Sequence, residues 1–199
     1  LLVLNLKHEM NISSLKSICV SCRIGSEQPL FIRIKQELGM TALYATRVQE
    51  EWHKEGYWVE AVKPIIDGYV FVYMENVKPA VEWIHQFSAA HVLRYDKDDY
   101  TLYGNDLDFA EWLWKNNGQI GVSEAMMEGR YFVILSGPMK DYQHHIQKVI
   151  KNKHYAVVDM SIGGAMKHTF ASFRWMRRLD GCYVHSDNAE IRFNQMHTS

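Results

Sequence analysis

Gly137-Pro138 separates two strand-like runs, residues 132–135 (Phe-Val-Ile-Leu) and 146–150 (Ile-Gln-Lys-Val-Ile), and it constrains the fold more than any other feature. Proline holds φ near about −65° and glycine tolerates positive φ, so neither strand can run through the pair. A short basic turn, Lys151-Asn152-Lys153, and a third apolar run, residues 155–160, follow at once. Three strands at that spacing predict a small, curled β-barrel over residues 129–176.

The front of the chain is patterned differently. Residues 17–23 (Ser-Ile-Cys-Val-Ser-Cys-Arg) predict a first strand. Ser26 is placed to cap a helix with Pro29 in its first turn, Leu30, Ile34 and Leu38 forming one buried stripe, and Gly39 ending it. Residues 42–48 and 57–63 predict the arms of a hairpin with Lys54-Glu55-Gly56 at its tip. The β-branched and aromatic density of residues 65–74 suits a central strand. A second helix is expected over 77–87, a strand over 91–95, and a third helix from Asn105, with Asp106 and Asp108 at its positive end. This order predicts an α+β fold for residues 17–117, an antiparallel sheet flanked by helices. Residues 1–16 read as an N-terminal extension with Met10 as a candidate start, 118–128 as a linker, and 177–199 as a polar C-terminal tail.

Charge divides the chain in the same way. Residues 1–117 carry 12 Lys+Arg and 16 Asp+Glu, a net of −4, whereas residues 130–178 carry 9 and 2, a net of +7. An acidic half followed by a basic half predicts two modules with different partners, the second suited to phosphate. No apolar stretch approaches the roughly 20 residues of a membrane span. Leu1-Leu-Val-Leu is too short for a signal core, so export is not expected. Three cysteines, without a disulfide-like framework, suit a reducing cytoplasm.

Patterns that suggest catalysis or metal binding fail on geometry. Cys19-Val-Ser-Cys22 and Cys182-Tyr-Val-His185 imitate a zinc site, but strand residues three apart point to opposite faces. The cysteines therefore read as small apolar side chains, with no metal. Asp96, Asp98 and Asp99 lack the glycine and glutamate of a calcium loop, since Thr101 and Leu107 stand there. Glu50, Glu51 and His53 read as solvated charge near a hairpin tip. No phosphate loop, dinucleotide fingerprint or Ser-His-Asp set is present, and neither enzymatic activity nor a cofactor is expected.

Four segments, residues 18–38, Lys63-Pro-Ile-Ile-Asp-Gly-Tyr-Val-Phe-Val72, His91-Val-Leu-Arg-Tyr95 and the Gly137-Pro138 turn, resemble the NusG family of transcription elongation factors. In that family a NusG N-terminal domain precedes an SH3-like KOW barrel. Ile66-Asp67 stands where the family has Phe-Pro, Ile18-Cys19 where it has Trp-Tyr, and His144 near a usual glycine. These departures suggest a specialised antiterminator of the RfaH or LoaP kind. The resemblance implies a cytoplasmic monomer that docks on the clamp helices of the largest RNA polymerase subunit. The matching positions are Tyr69, Phe71, Val92 and Tyr95, and the outcome would be readthrough of pauses and terminators. It also implies that the barrel meets nascent RNA, a ribosomal protein or Rho.

Basic residues give the nucleic-acid candidates. Lys140, His144, Lys148, Lys151, Lys153 and Lys167 crowd the expected barrel, with Tyr142 and Tyr155 interleaved as stacking surfaces for unpaired bases. Arg23, Arg33 and Lys35 on the first strand and helix are candidates for upstream or non-template DNA. The alternative is a KOW-type RNA-binding protein, associated with the ribosome or RNA, whose front domain never meets polymerase.

Overall fold

The structure, a computed structural model, describes residues 15–179 and 182–185. In chain order the elements are β1 (Lys16–Cys22), α1 (Glu27–Leu38), β2 (Thr41–Tyr44), β3 (Thr46–Trp52), β4 (Trp58–Pro64), β5 (Tyr69–Met74), α2 (Val77–Ile84), β6 (Ala90–Val92) and α3 (Gly104–Lys115). There follow β7 (Gln119–Ile120), β8 (Ser123–Glu128), β9 (Tyr131–Ser136), β10 (Ile146–Ile150), β11 (Tyr155–Ile162), β12 (Ala165–Leu179) and β13 (Cys182–His185). The chain divides into two units that do not follow sequence order. The first takes the chain up to Thr46, Pro64–Gln119 and Met160–Lys167; the second takes Arg47–Lys63, Ile120–Asp159 and the chain from His168.

In the first unit, an antiparallel sheet of order β2-β5-β1-β6 is buried on both faces. Side chains alternate along a strand, so Val70, Val72 and Met74 of β5 join Ile18 and Val20 of β1 on one face. There they pack with Ile34 of α1 and Ala80, Val81 and Ile84 of α2. Phe71 faces the other way, its ring 5.5 Å from that of Phe109 on α3, and the Tyr73 hydroxyl donates to the Ala110 carbonyl. Burial on both faces explains why β5 is apolar throughout. The Leu30-Ile34-Leu38 stripe packs inward as its spacing predicts, and Gly39 ends α1 at φ +64°. Ser26 makes no side-chain cap hydrogen bond. Its carbonyl instead accepts from the Leu30 amide at 3.1 Å.

The expected hairpin arm over 42–48 is split at Ala45. Here β2 joins the four-stranded sheet, while β3 joins β4 and β7 in a sheet of order β4-β3-β7. Ala45 is fully buried and its carbonyl accepts from the Ile65 amide, which fixes the break.

The third sheet runs β10-β11-β12-β8-β9, with β13 on β12 and β8 parallel to β12. In the second unit its core holds Ala125, Ile134, Ala156, Val158, Ala171 and Phe173. The segment expected as a linker, 118–128, instead carries β7 and β8. Ser-Glu-Ala-Met-Met-Glu contains no β-branched or aromatic residue, so its strand is set by pairing and not by propensity. Of the expected tail, 177–179 complete β12 and 182–185 form β13; the remainder, and residues 1–14 of the extension, lie outside the described residues.

Candidate functional site

Tyr69 begins β5 at a turn that is pinned from two sides. Glu27, the first residue of α1, is buried, and its carboxylate accepts from the Gly68 amide at 2.5 Å. The Gly68 carbonyl in turn accepts from the Cys22 amide at 2.8 Å. Gly68 has φ +81°, and a Cβ there would lie 3.0 Å from the Cys22 carbonyl oxygen, so the position requires glycine. The turn leaves the Tyr69 ring half-buried, with the Lys167 ammonium 5.0 Å from its centroid. Glu27 itself was invisible as a site residue, because an acid in a first helical turn is accounted for by the helix dipole alone.

Beside it, Asp106 on α3 is buried and accepts from both the Tyr95 hydroxyl and the Gly164 amide, the latter at 3.1 Å. Burial first, and then the Asp106 hydrogen bond and charge, push the Tyr95 phenol well above its ordinary range. Asp106 was expected as a helix-end charge. It instead ties the 160–167 strand-turn-strand to the Tyr95 corner.

Of the four positions implied for polymerase docking, Phe71 is 1% exposed and Val92 8%. They also lie on opposite faces: Val92 pairs with Val20 in register and joins the core beneath α2, whereas Phe71 sits behind α3. Tyr69 and Tyr95 are both half-buried. The four therefore do not converge on one notch; the accessible surface belongs to the two tyrosines.

The basic candidates are mostly solvent-facing. Arg23, Arg33, Lys35, Lys140, His144, Lys148, Lys151 and Lys153 are exposed, and Lys167 is half-buried over Tyr69. Arg33 pairs with Glu37 at 2.9 Å and lies 4.4 Å from the Phe87 ring centroid, so its charge is partly committed to its own helix surface. Tyr142 departs from expectation. It is 3% exposed, its ring stacked on His145 at 3.9 Å, and it offers no face to a base.

Cys19 is buried and Cys22 half-buried on alternating sides of β1, and no group of three metal-ligating side chains occurs among the described residues. Burial, and then the charge of Glu27, push the Cys22 thiol up to about 11 from 9.0. At neutral pH Cys22 therefore carries about a hundredfold less thiolate than an unperturbed cysteine. An alkylating reagent is expected to modify exposed Cys182 first, Cys22 far more slowly, and Cys19 only on unfolding. Peptide mapping over time reads that order, and equal rates at Cys19 and Cys182 would contradict the strand assignment.

No family model matches the chain, and a search of the curated proteins found no match. No helix among the described residues is long and apolar enough to cross a membrane.

Proposed function

We propose that this chain is a transcription elongation factor of the antitermination kind. It works in the cytoplasm as a monomer, bound to the clamp helices of RNA polymerase through the Tyr69 surface. In this reading the first unit corresponds to the NusG N-terminal fold and the sheet of the second to a KOW barrel. The observation that carries the proposal is the pinned Asp67-Gly68-Tyr69 turn. It holds an aromatic ring at the protein surface at the position where the resembled family docks. A preset aromatic is the kind of anchor that dominates small protein interfaces. Phe71, two residues along on the same face of β5, packs behind α3 against Phe109, whereas Val92 belongs to the core on the other face.

No bond is made or broken. The factor binds the processive, closed-clamp polymerase more tightly than the paused form and shifts the population toward it by that difference. The exposed lysines of the second unit face nascent RNA, with a ribosomal protein or Rho as the other partner such a barrel could take. Arg23 and Lys35 face non-template DNA.

Tyr69→Ala is expected to weaken binding to a clamp-helix coiled-coil fragment by at least about tenfold and to abolish terminator readthrough in a purified transcription assay. Lys167→Ala, which uncovers the ring, is expected to tighten the same binding a fewfold, as loss of one exposed cation–π contact allows. Wild-type values for both variants would reject the docking surface. The occupied Tyr69 ring favours one second reading, an RNA-binding protein whose front unit never meets polymerase. Failure of polymerase to co-purify with the full chain, together with tight RNA binding, would select it.

A further inference from the structure

We propose that the outer face of β11 and β12 in the second unit is a stacking platform for single-stranded RNA, centred on Tyr155 and Phe170. It rests on the nucleic-acid contact proposed above for the exposed lysines of the second unit, and it adds a sheet face to that contact.

Alternation sorts the two strands. On β11, Ala156 and Val158 point into the core, leaving Tyr155, Val157 and Asp159 half-exposed on the other side. On β12, Thr169 and Ala171 are buried while His168 and Phe170 face outward. The Tyr155 and Phe170 rings are neighbours across the strands, 4.7 Å between centroids. Phe170 is 40% exposed, although the core of this unit lies on the opposite side of the sheet. The Arg47 guanidinium lies 5.5 Å from the Phe170 centroid, a third planar group beside the pair. The accessible part of the face is this end, since Ser172, the next outward residue of β12, is buried; aromatic rings and guanidinium planes at such a surface are what unpaired bases stack on, and every base has such a face.

Charge complementarity identifies the occupant as a polyanion. Lys151 and Lys153 form the turn that leads directly into Tyr155, and Lys148 precedes it on β10; all three are exposed. The turn is held in place: the Lys151 carbonyl accepts from the Trp175 indole at 3.4 Å, and the His154 carbonyl accepts from the Phe173 amide at 2.8 Å. Cations fixed at the end of an aromatic face can bind phosphates while the attached bases lie on the rings. Asp159, the carboxylate that β11 contributes to this face, is paired with His168 at 2.6 Å and also accepts from Gln147, and further along β12 Arg174 is paired with Glu50 and Glu60. That pair places the Asp159 carboxylate, an acceptor, beside His168, two residues along from Phe170, which suits a donating ribose 2′-hydroxyl and finds nothing on deoxyribose. A duplex would hide the base faces, so the ligand is unpaired, with about two to three nucleotides on the platform.

The test uses the full chain without polymerase and a labelled 12-nucleotide single-stranded RNA of mixed sequence, read by fluorescence anisotropy across a salt series. Phe170→Ala and Tyr155→Ala are each expected to weaken binding about tenfold with the salt slope unchanged, while Phe170→Trp retains it. The Lys151→Glu/Lys153→Glu variant is expected to flatten the slope by roughly 1.4, the value for two lost single-strand phosphate contacts. Phe170 is partly exposed, so a thermal melt of its variants should match the wild type. If the aromatic variants bind as wild type while the lysine variant fails, the platform is refuted and the basic contact stands. Equal binding of duplex RNA would also refute it, and equal binding of single-stranded DNA would overturn the ribose contact. No nucleic-acid binding at all would remove both and leave a protein partner.

Discussion

Gly137→Ala is expected to lower stability by about 2–6 kcal/mol, from a strained backbone of ~1–3 kcal/mol and an overlap of similar size. Gly137 sits at φ +91° and ψ 180°, a region open essentially to glycine alone. A Cβ placed there would lie 2.7 Å from the Ser123 Cα and 2.9 Å from its Oγ. Ser123 cannot retreat. It is fully buried, pairs in register with Phe173 on β12, and its hydroxyl accepts from the Met139 amide at 3.0 Å. Shifting it disturbs the parallel β8–β12 pairing and the turn together. Gly129 provides the control: at φ +60° with nothing within 4 Å of its Cβ, Gly129→Ala should carry only the backbone cost of about 1 kcal/mol. Urea unfolding followed by tryptophan fluorescence measures both. A Gly137→Ala loss no larger than that of Gly129→Ala would show that the close approach to Ser123 does not exist.

That glycine illustrates which parts of the structure can be read from a sequence. Gly137-Pro138 announces a break because both residues restrict or relax φ on their own account, and strands β9, β10 and β11 fall where the apolar runs stand. The Leu30-Ile34-Leu38 stripe and the Gly39 stop are legible for the same reason, being properties of a few adjacent residues. What is hidden depends on partners far along the chain. Strand β8 lacks strand-forming side chains and exists because β9 and β12 pair with it on either side. The break at Ala45 is set by a hydrogen bond from Ile65, 20 residues on.

The candidate site divides similarly. The partial exposure of the Tyr69 ring could be anticipated because it directly follows a glycine in an apolar strand. Phe71 and Val92 were grouped with it by resemblance, yet the period of two and the β1–β6 register put them on opposite faces. Tyr142, expected as a stacking surface, is folded back onto His145, whereas Phe170 gave no local sign that its ring would stand beside Tyr155.

Arg174→Ala is expected to cost about 2–3 kcal/mol, less than a fully buried pair because the Arg174 side chain is 37% exposed and water screens part of the interaction. Arg174 on β12 forks between two carboxylates of the β3–β4 hairpin in the same unit, Glu50 through Nε and Glu60 through Nη2. Burial works against its charge, but the hydrogen bonds and charges of Glu50, and then of Glu60, outweigh it and raise its pKa. The two carboxylates differ in environment: the Glu50 side chain is 8% exposed and that of Glu60 54%. Removing the arginine therefore leaves Glu50 as a nearly buried, unpaired charge, while Glu60 simply returns to water. Glu60→Ala should accordingly cost no more than about 0.5–1 kcal/mol. Adding Glu50→Gln to Arg174→Ala should recover much of the loss, since the stranded charge is then gone. Hydrogen exchange gives an independent readout: amides of β3 and β4 should lose protection in Arg174→Ala before those of β10 and β11 do. Equal costs for Glu50→Ala and Glu60→Ala would mean that burial of Glu50 is not what makes this fork matter.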